Sequence, residues 1–277
     1  EGLGNKFLAH IREADAIAEV VRFFPSGDVV HVAGAVNPIA DVETIETELA
    51  LADLQTIEVM LERAARDAKS GDSRLVRRAA AIKKFRDALA AGQPARTVEL
   101  GPSETETVRD VRLLTQKPVL YVANLDEEQI KTASDITRVF ADRFRPVVPL
   151  SVKIEQELSE LGPDERVTFL AEYGLTHSGL DDLIRAAYDL LGLITFFTTG
   201  PKETRAWTIR KGSTAPEAAG EIHSDFERGF IRAETIAWDT LVETSSYAAA
   251  RERGLLRDEG KEYVVQDGDV LIFKTGT

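Results

Sequence analysis

The chain has 277 residues, 43% of them apolar, with no cysteine and a formal net charge of −13. Such a length predicts two or three packed units. The lack of cysteine excludes disulfides, thiolate metal sites and thiol redox switching by these residues, and the acidic balance excludes a uniformly basic nucleic-acid-binding surface.

Glu1-Gly2-Leu3-Gly4-Asn5 leads into a helix pattern over Lys6–Ala18, with Phe7, Leu8, Ile11, Ala14 and Ile17 as its apolar positions. Ala18–Phe24 then reads as a strand, closed by Pro25-Ser26-Gly27. A domain does not normally open with a glycine-rich loop and one helix, so further sequence is expected ahead of Glu1. Residues 41–92 differ in kind. Ala50, Leu54, Ile57, Leu61, Ala64 and Ala68 alternate spacings of four and three, the seam of a coiled coil. Ser70-Gly71-Asp72 is a turn, and a second helix carries Leu75, Ala79, Ile82, Phe85 and Leu89 on one face until Gly92-Gln93-Pro94 stops it. This predicts an antiparallel helical hairpin.

Its charge is segregated. Asp41–Glu58 holds six acids and no base, whereas Glu62–Arg96 holds ten bases against four acids. A solvated helix face explains such a run, and so does a contact with a phosphate backbone; Arg74, Arg77, Arg78, Lys83 and Lys84 are the candidate nucleic-acid contacts under the second reading.

Residues 116–192 return to an α/β pattern. Pro118–Ala123 is an apolar strand, a helix follows near Glu127–Phe144, and Pro146–Leu150 is a second strand. Helices are expected around Ile154–Leu161, Asp164–Tyr173 and Gly179–Leu191, and the alternation predicts a parallel sheet. From about residue 193 a new unit begins. Arg205–Arg210 reads as a strand, Thr214 and Glu217 as a capping box with Pro216 in the first helical turn, Ala233–Ala237 as a strand, and Asp267-Gly268-Asp269 as a turn before a last strand at Val270–Lys274. Strands with one short helix predict a small β-grasp module, with Trp207, Phe226 and Phe230 in its core. No apolar run approaches bilayer length, so no membrane partner is expected, and the lack of cysteine fits a cytoplasmic location. His10, His31, His177 and His223 show no metal-ligand spacing, and no metal residue is assigned in the chain.

The chemistry concentrates in Asn124-Leu125-Asp126-Glu127. In open α/β sheets, ligands bind beyond the carboxyl ends of the strands. In the Asn-Lys-x-Asp form of such a loop, the acid accepts hydrogen bonds from N1 and N2 of guanine. Adenine lacks the N2 amine and presents N1 as an acceptor, so an acid placed there loses both bonds. Here Glu replaces Asp and no Lys follows Asn124, which disrupts the guanine arrangement. A strand ending in a helix cap accounts for the pattern taken alone. Ser151-Val152-Lys153, after the next strand, weakens that reading, because a Ser-Ala-Lys loop at this place backs the base through main-chain N–H groups. No Gly-x-x-x-x-Gly-Lys-Ser/Thr phosphate loop occurs in the 277 residues; Gly254 with Gly260-Lys261 has the wrong spacer and Glu262 in place of Ser/Thr.

These segments resemble the YchF/Obg-like ATPase family of P-loop proteins. Besides Asn124–Glu127, the resemblance rests on Glu1-Gly2-Leu3-Gly4-Asn5-Lys6-Phe7-Leu8, Ala206-Trp207-Thr208-Ile209, Ile222-His223-Ser224-Asp225-Phe226, Gly229-Phe230-Ile231-Arg232-Ala233-Glu234 and Asp267-Gly268-Asp269-Val270. It implies a partial P-loop nucleotide-binding domain at 1–38 and 116–192, a helical coiled-coil insertion at 39–115 and an α+β TGS domain at 193–277. It implies ATP and ADP as ligands, ATP preferred over GTP, and Mg²⁺ with its ligands ahead of Glu1, where the family keeps its phosphate loop and switches. Asn124, Leu125 and Glu127 with Ser151 and Val152 would hold adenine. Phe24 would pack on its face, although a core aromatic is the commoner role. His31 would orient or deprotonate the attacking water, against the plainer reading of a hydrogen-bonded histidine at a strand edge. Two functions follow as expectations: a ribosome-associated ATPase acting in translation or stress regulation, or an RNA- or ribosome-binding adaptor whose nucleotide acts only as a conformational switch. For these residues alone, weak ATP binding and no hydrolysis are expected.

Overall fold

A computed structural model describes residues 4–25, 36–200 and 203–276. Contacts divide the chain into two compact units, Glu1–Ala187 and Tyr188–Thr277.

The first unit opens with α1 (Asn5–Glu13) and β1 (Ile17–Arg22). The expected helix over Lys6–Ala18 stops early for a tertiary reason. Lys117 donates through Nζ to the carbonyls of Arg12, at 3.0 Å, and Ala14, and the Ile17 amide pairs with Pro118 O at 3.0 Å. The chain that would have continued the helix is thereby recruited into a sheet.

Then α2 (Pro38–Asp67) and α3 (Ser73–Ala90) form the hairpin. Asn37 caps α2 by accepting from Ala40 N at 3.2 Å, and Pro38 occupies the first turn, where its missing N–H costs nothing. At the tip, Gly71 takes φ +78°, and Asp72 accepts the amides of Arg74 and Leu75 at 2.7 and 3.2 Å. Only glycine enters that left-handed turn without steric cost. The seam is as the spacing predicts: Ile57, Ala64, Ile82, Phe85 and Leu89 are buried, with Ala50, Leu54, Leu61 and Ala79 packed against them.

The return passes through α4 (Pro102–Thr107) to β2 (Val119–Asn124), α5 (Ala133–Ala141), β3 (Val147–Leu150), α6 (Val152–Glu160), α7 (Pro163–Glu172) and α8 (Gly179–Leu191), inside which the division between units falls. The helix expected from Glu127 begins only at Ala133. Asp126 Oδ1 accepts the amides of Glu128 and Gln129 at 3.1 and 2.8 Å, and a tight turn at Gln129–Thr132 precedes α5. The strands β1, β2 and β3 are parallel, in that order, with Arg22 opposite Asn124 and Asn124 opposite Leu150. β2 is buried along nearly its whole length, as a central parallel strand covered on both faces must be. Val21, Val42, Tyr121, Phe140 and Phe144 form the core where α2 and α5 meet the sheet.

Asp53 fastens the hairpin to that sheet. It is 1% exposed, and its carboxylate accepts from Leu114 N at 2.8 Å and from Thr115 N and Oγ1, each at 2.7 Å. Burial pushes its pKa above the ordinary carboxylate value, against the opposing effect of these donors.

The second unit holds β4 (Leu193–Thr199), β5 (Thr204–Arg210), α9 (Ala215–Ile222), α10 (Ser224–Arg228), β6 (Phe230–Ala237), α11 (Trp238–Thr244), α12 (Tyr247–Glu252), β7 (Arg257–Glu259) and β8 (Asp269–Thr275). Its five strands run in the order β5-β4-β8-β6-β7, with β4 and β8 parallel and the other neighbours antiparallel. Glu217 reaches back to Thr214, accepting from its N at 2.7 Å and its Oγ1 at 3.0 Å, as the capping pattern predicts. Phe196, Phe230, Ile209 and Leu271 form the core with Trp207 packed on it. Phe226 departs from expectation: it is 38% exposed, with the His223 ring 6.0 Å away. It lies on α10, just ahead of β6, and is absent from the core cluster that holds Phe230 and Trp207.

Candidate functional site

Parallel pairing brings the ends of β1, β2 and β3 to one edge, and that edge collects most of the residues singled out from sequence. Asn124 ends β2; its Oδ1 accepts from Val152 N at 3.1 Å, tying the first loop to the second. Lys153 and Glu127 form a second tie, Nζ to Oε2 at 2.7 Å. The Glu127 side chain is 32% exposed and that of Lys153 64%, so water screens this pair. Hydrogen bonding to Glu127 pushes the Lys153 pKa up.

Leu125 has another role than its neighbours. Its side chain is 1% exposed, in a core with Ile130, Ile154 and Leu158, and its N–H donates to Leu150 O at 2.8 Å. Toward a ligand it offers only its carbonyl. The Ser151 hydroxyl is buried and has no hydrogen-bond partner among the described residues. An orphaned hydroxyl is costly, about 1–3 kcal/mol, and is expected where a bound group completes the site. Gly179 braces the same edge. Its N–H donates to Glu155 Oε1 at 2.7 Å, and a Cβ there would meet Leu150 Cβ at 2.5 Å, so α8 seats against β3 only with glycine at this position.

The aromatic pair at the end of β1 divides its labour. Phe23 is the core residue, edge-on to Phe140 with ring centroids 5.2 Å apart, and its N–H donates to Asn124 O at 3.0 Å. Phe24 is half-buried at the edge where Asn124 ends. His31 lies outside the described residues.

Two residues that the sequence reading passed over shape the loop. Gln129 accepts from Asp126 N at 3.1 Å and donates through Nε2 to Phe23 O at 3.2 Å, joining the loop after β2 to the end of β1. Asp126 folds the turn by accepting two amides. The signal available in advance was the Asx-type turn propensity of Asp126.

The basic hairpin residues are not equivalent. Arg78 makes a bidentate pair with Asp110 at 2.6 and 2.7 Å and also donates to Thr107 O. Lys84 pairs with Glu104 at 2.8 Å and Lys83 with Asp87 at 2.5 Å. Arg78 and Lys84 are thereby engaged by acids outside α3, whereas the Lys83 pair is an exposed one along its own helix. Arg74 and Arg77 have no ion pair among the described residues, and Arg63, Arg66 and Lys69 share that condition near the tip.

Relatives place this arrangement. The chain is 48% identical over 280 residues to the ribosome-binding ATPase YchF of Bacillus subtilis (strain 168), covering 99% of this chain and 76% of that protein. It is 44% identical over 276 residues to the protein of the same name from Escherichia coli O157:H7, with the same coverage. The chain belongs to the YchF family. A family model, YchF-GTPase_C, described as a protein of unknown function (DUF933), matches residues 193–276. Among solved structures, the YchF GTPase of Schizosaccharomyces pombe superposes with a TM-score of 0.85 at 34% identity, over 99% of this chain and 75% of that one. A GTP binding protein from Pyrococcus horikoshii OT3 shares the fold at a TM-score of 0.59 and 21% identity, over 98% of this chain and 81% of that one. The YchF names divide between ATPase and GTPase, so the base specificity has to be argued from the loop itself.

Proposed function

We propose that this chain carries the base-reading and ribosome-docking parts of a ribosome-associated nucleotide hydrolase that prefers ATP to GTP. Relatives named ribosome-binding ATPases, matched over 99% of the chain, support the ribosome-associated, nucleotide-binding part of that reading. A cytoplasmic location goes with it; among the described residues no helix is long and apolar enough to cross a membrane. The three-part division into nucleotide domain, helical insertion at 39–115 and TGS domain at 193–277 is part of the same proposal.

The observation that carries the base preference is the coupling of the two loops. Val152 N–H, the main-chain donor that would meet O6 of guanine, is engaged by Asn124 Oδ1. Glu127, the acid that would meet guanine N1 and N2, is engaged by Lys153. Guanine would have to break both contacts. Adenine, whose edge presents a 6-amine donor and an N1 acceptor, needs neither, and it can use the Leu125 carbonyl and the Asn124 amide nitrogen, with Ser151 Oγ completing the polar lining and Phe24 lying against the ring. ATP bound here takes its remaining contacts through its phosphates and Mg²⁺; the described residues hold no group assigned to either.

Titrating ATP and GTP against the Glu1–Thr277 chain tests this. ATP binds weakly, at about millimolar strength, and about tenfold tighter than GTP, since each lost base contact costs about 1 kcal/mol or more. Equal affinities overturn the adenine assignment. The chain shows no hydrolysis, because it contains no phosphate loop; measurable turnover by the purified chain contradicts that.

A further inference from the structure

At the opposite end of β2 from Asn124 lies a cavity of about 370 Å³, at the root of the hairpin. Its floor is apolar, built from Phe85, Leu100, Val108, Val111 and Leu113, several of which belong to the buried seam. Its rim is cationic: Arg12, Arg109, Arg112 and Lys117 line it, against one acid among the described residues, Asp15. Lys117 is committed to the carbonyls of Arg12 and Ala14 at the end of α1. Arg109 and Arg112 are exposed and have no ion pair or hydrogen bond among the described residues, in a chain that carries more acids than bases. Gln116 spends its Oε1 on Leu113 N at 2.9 Å and has its amide nitrogen left to donate.

The geometry points to a binding site for a small organic phosphate, a phosphomonoester with an apolar body. The size matches a small-molecule pocket rather than a flat contact. Guanidinium groups match a phosphate's oxygens bidentately, which a point charge does not. An RNA backbone would use the arginines but would have no need of the apolar floor. The site is distinct from the adenine edge: β2 spans six residues between them, about 20 Å at the rise of a strand. It adjoins the chain entering β2, since Pro118 belongs to its lining and Lys117 reaches across to α1.

The probe is 1-naphthyl phosphate, titrated against the Glu1–Thr277 chain by calorimetry, with 1-naphthol and inorganic phosphate as the two half-ligands. Saturable binding is expected, about tenfold or more tighter than either half-ligand, because head and body each contribute. Arg109→Gln with Arg112→Gln should weaken it about tenfold at an unchanged melting temperature, and Asp15→Asn should tighten it severalfold by removing the only acid. Asn124→Ala should leave it unchanged. The proposal fails if the probe does not saturate by about 5 mM, a weak limit for so small a ligand. It fails also if the arginine pair is indifferent, if Asp15→Asn does not tighten binding, or if the Asn124 variant abolishes it. Single-stranded RNA bound through Arg109 and Arg112 without any naphthyl phosphate binding would replace it with a backbone contact.

Discussion

Asp53 shows how much one side chain can decide. The seam of α2 calls for apolar residues near its root, yet an acid stands there, 1% exposed, because three donors from Leu114 and Thr115 converge on it. Thr115 Oγ1 in turn accepts from Ala95 N at 3.0 Å, so the network also holds the turn after α3. Asp53→Ala strands these donors in the core and is expected to lower stability by about 2–4 kcal/mol, read from urea unfolding midpoints. A loss below about 0.5 kcal/mol would mean that water reaches the site and the network is dispensable. At the carboxyl ends of the parallel strands Asn124 plays the corresponding part, since one amide both ends β2 and holds the loop after β3 in place.

Elements meet through charge as well as through apolar faces. On β1, Glu19 faces Glu46 and Asp41 of α2 and Arg96 beyond α3, while Tyr121 of β2 donates to Glu46 Oε1 at 3.0 Å. Burial first, then Glu46, raise the Glu19 pKa from 4.5 to about 7; Arg96, itself paired with Glu46, opposes the shift and Asp41 adds to it. Between those two pH values the unfolded chain has lost the proton that the folded chain keeps. Stability therefore falls as pH rises through that window and levels off above it. Glu19→Gln is expected to flatten this slope and to raise the unfolding midpoint at pH 8; an unchanged difference between pH 5 and pH 8 midpoints would show that Glu19 ionises normally. The hairpin makes its own prediction. With Arg78 and Lys84 paired to acids outside α3, the proposed ribosome contact through this element is expected to draw on the tip. Reversing Arg66, Lys69, Arg74 and Arg77 to Glu should abolish co-sedimentation with ribosomes at moderate salt, whereas reversing Lys83 alone should change it less than twofold, as expected of one phosphate contact or none. Retention of the fourfold variant on ribosomes would remove the tip from the interface.

For the whole molecule, the edge at the ends of β1, β2 and β3 and the hairpin lie in the first compact unit, and the five-stranded sheet makes up most of the second. The proposed hydrolysis needs a water-activating group besides the proposed base edge, and the resemblance implies His31 for it. In any form of the protein that turns ATP over, His31→Ala should lower turnover about a hundredfold with ATP affinity unchanged; unchanged turnover removes His31 from the mechanism.

The sequence by itself determined the elements whose signal is local. The seam from Ala50 to Ala68, the turn at Gly71 and the Thr214–Glu217 reach-back follow from periodicity, backbone freedom and hydrogen-bonding groups a few residues apart. Only the tertiary structure decided matters that depend on distant partners. Lys117 and Pro118 end α1 and start β1 from more than a hundred residues away, and no periodicity within Lys6–Ala18 carries that information. Likewise, which bases are free depends on acids such as Asp110 and Glu104 that come back beside α3 only after the chain has turned. A charge run in sequence records how many cations there are; packing decides how many remain available to a ligand, because an ion pair made within the fold must be broken before its charge can serve another partner.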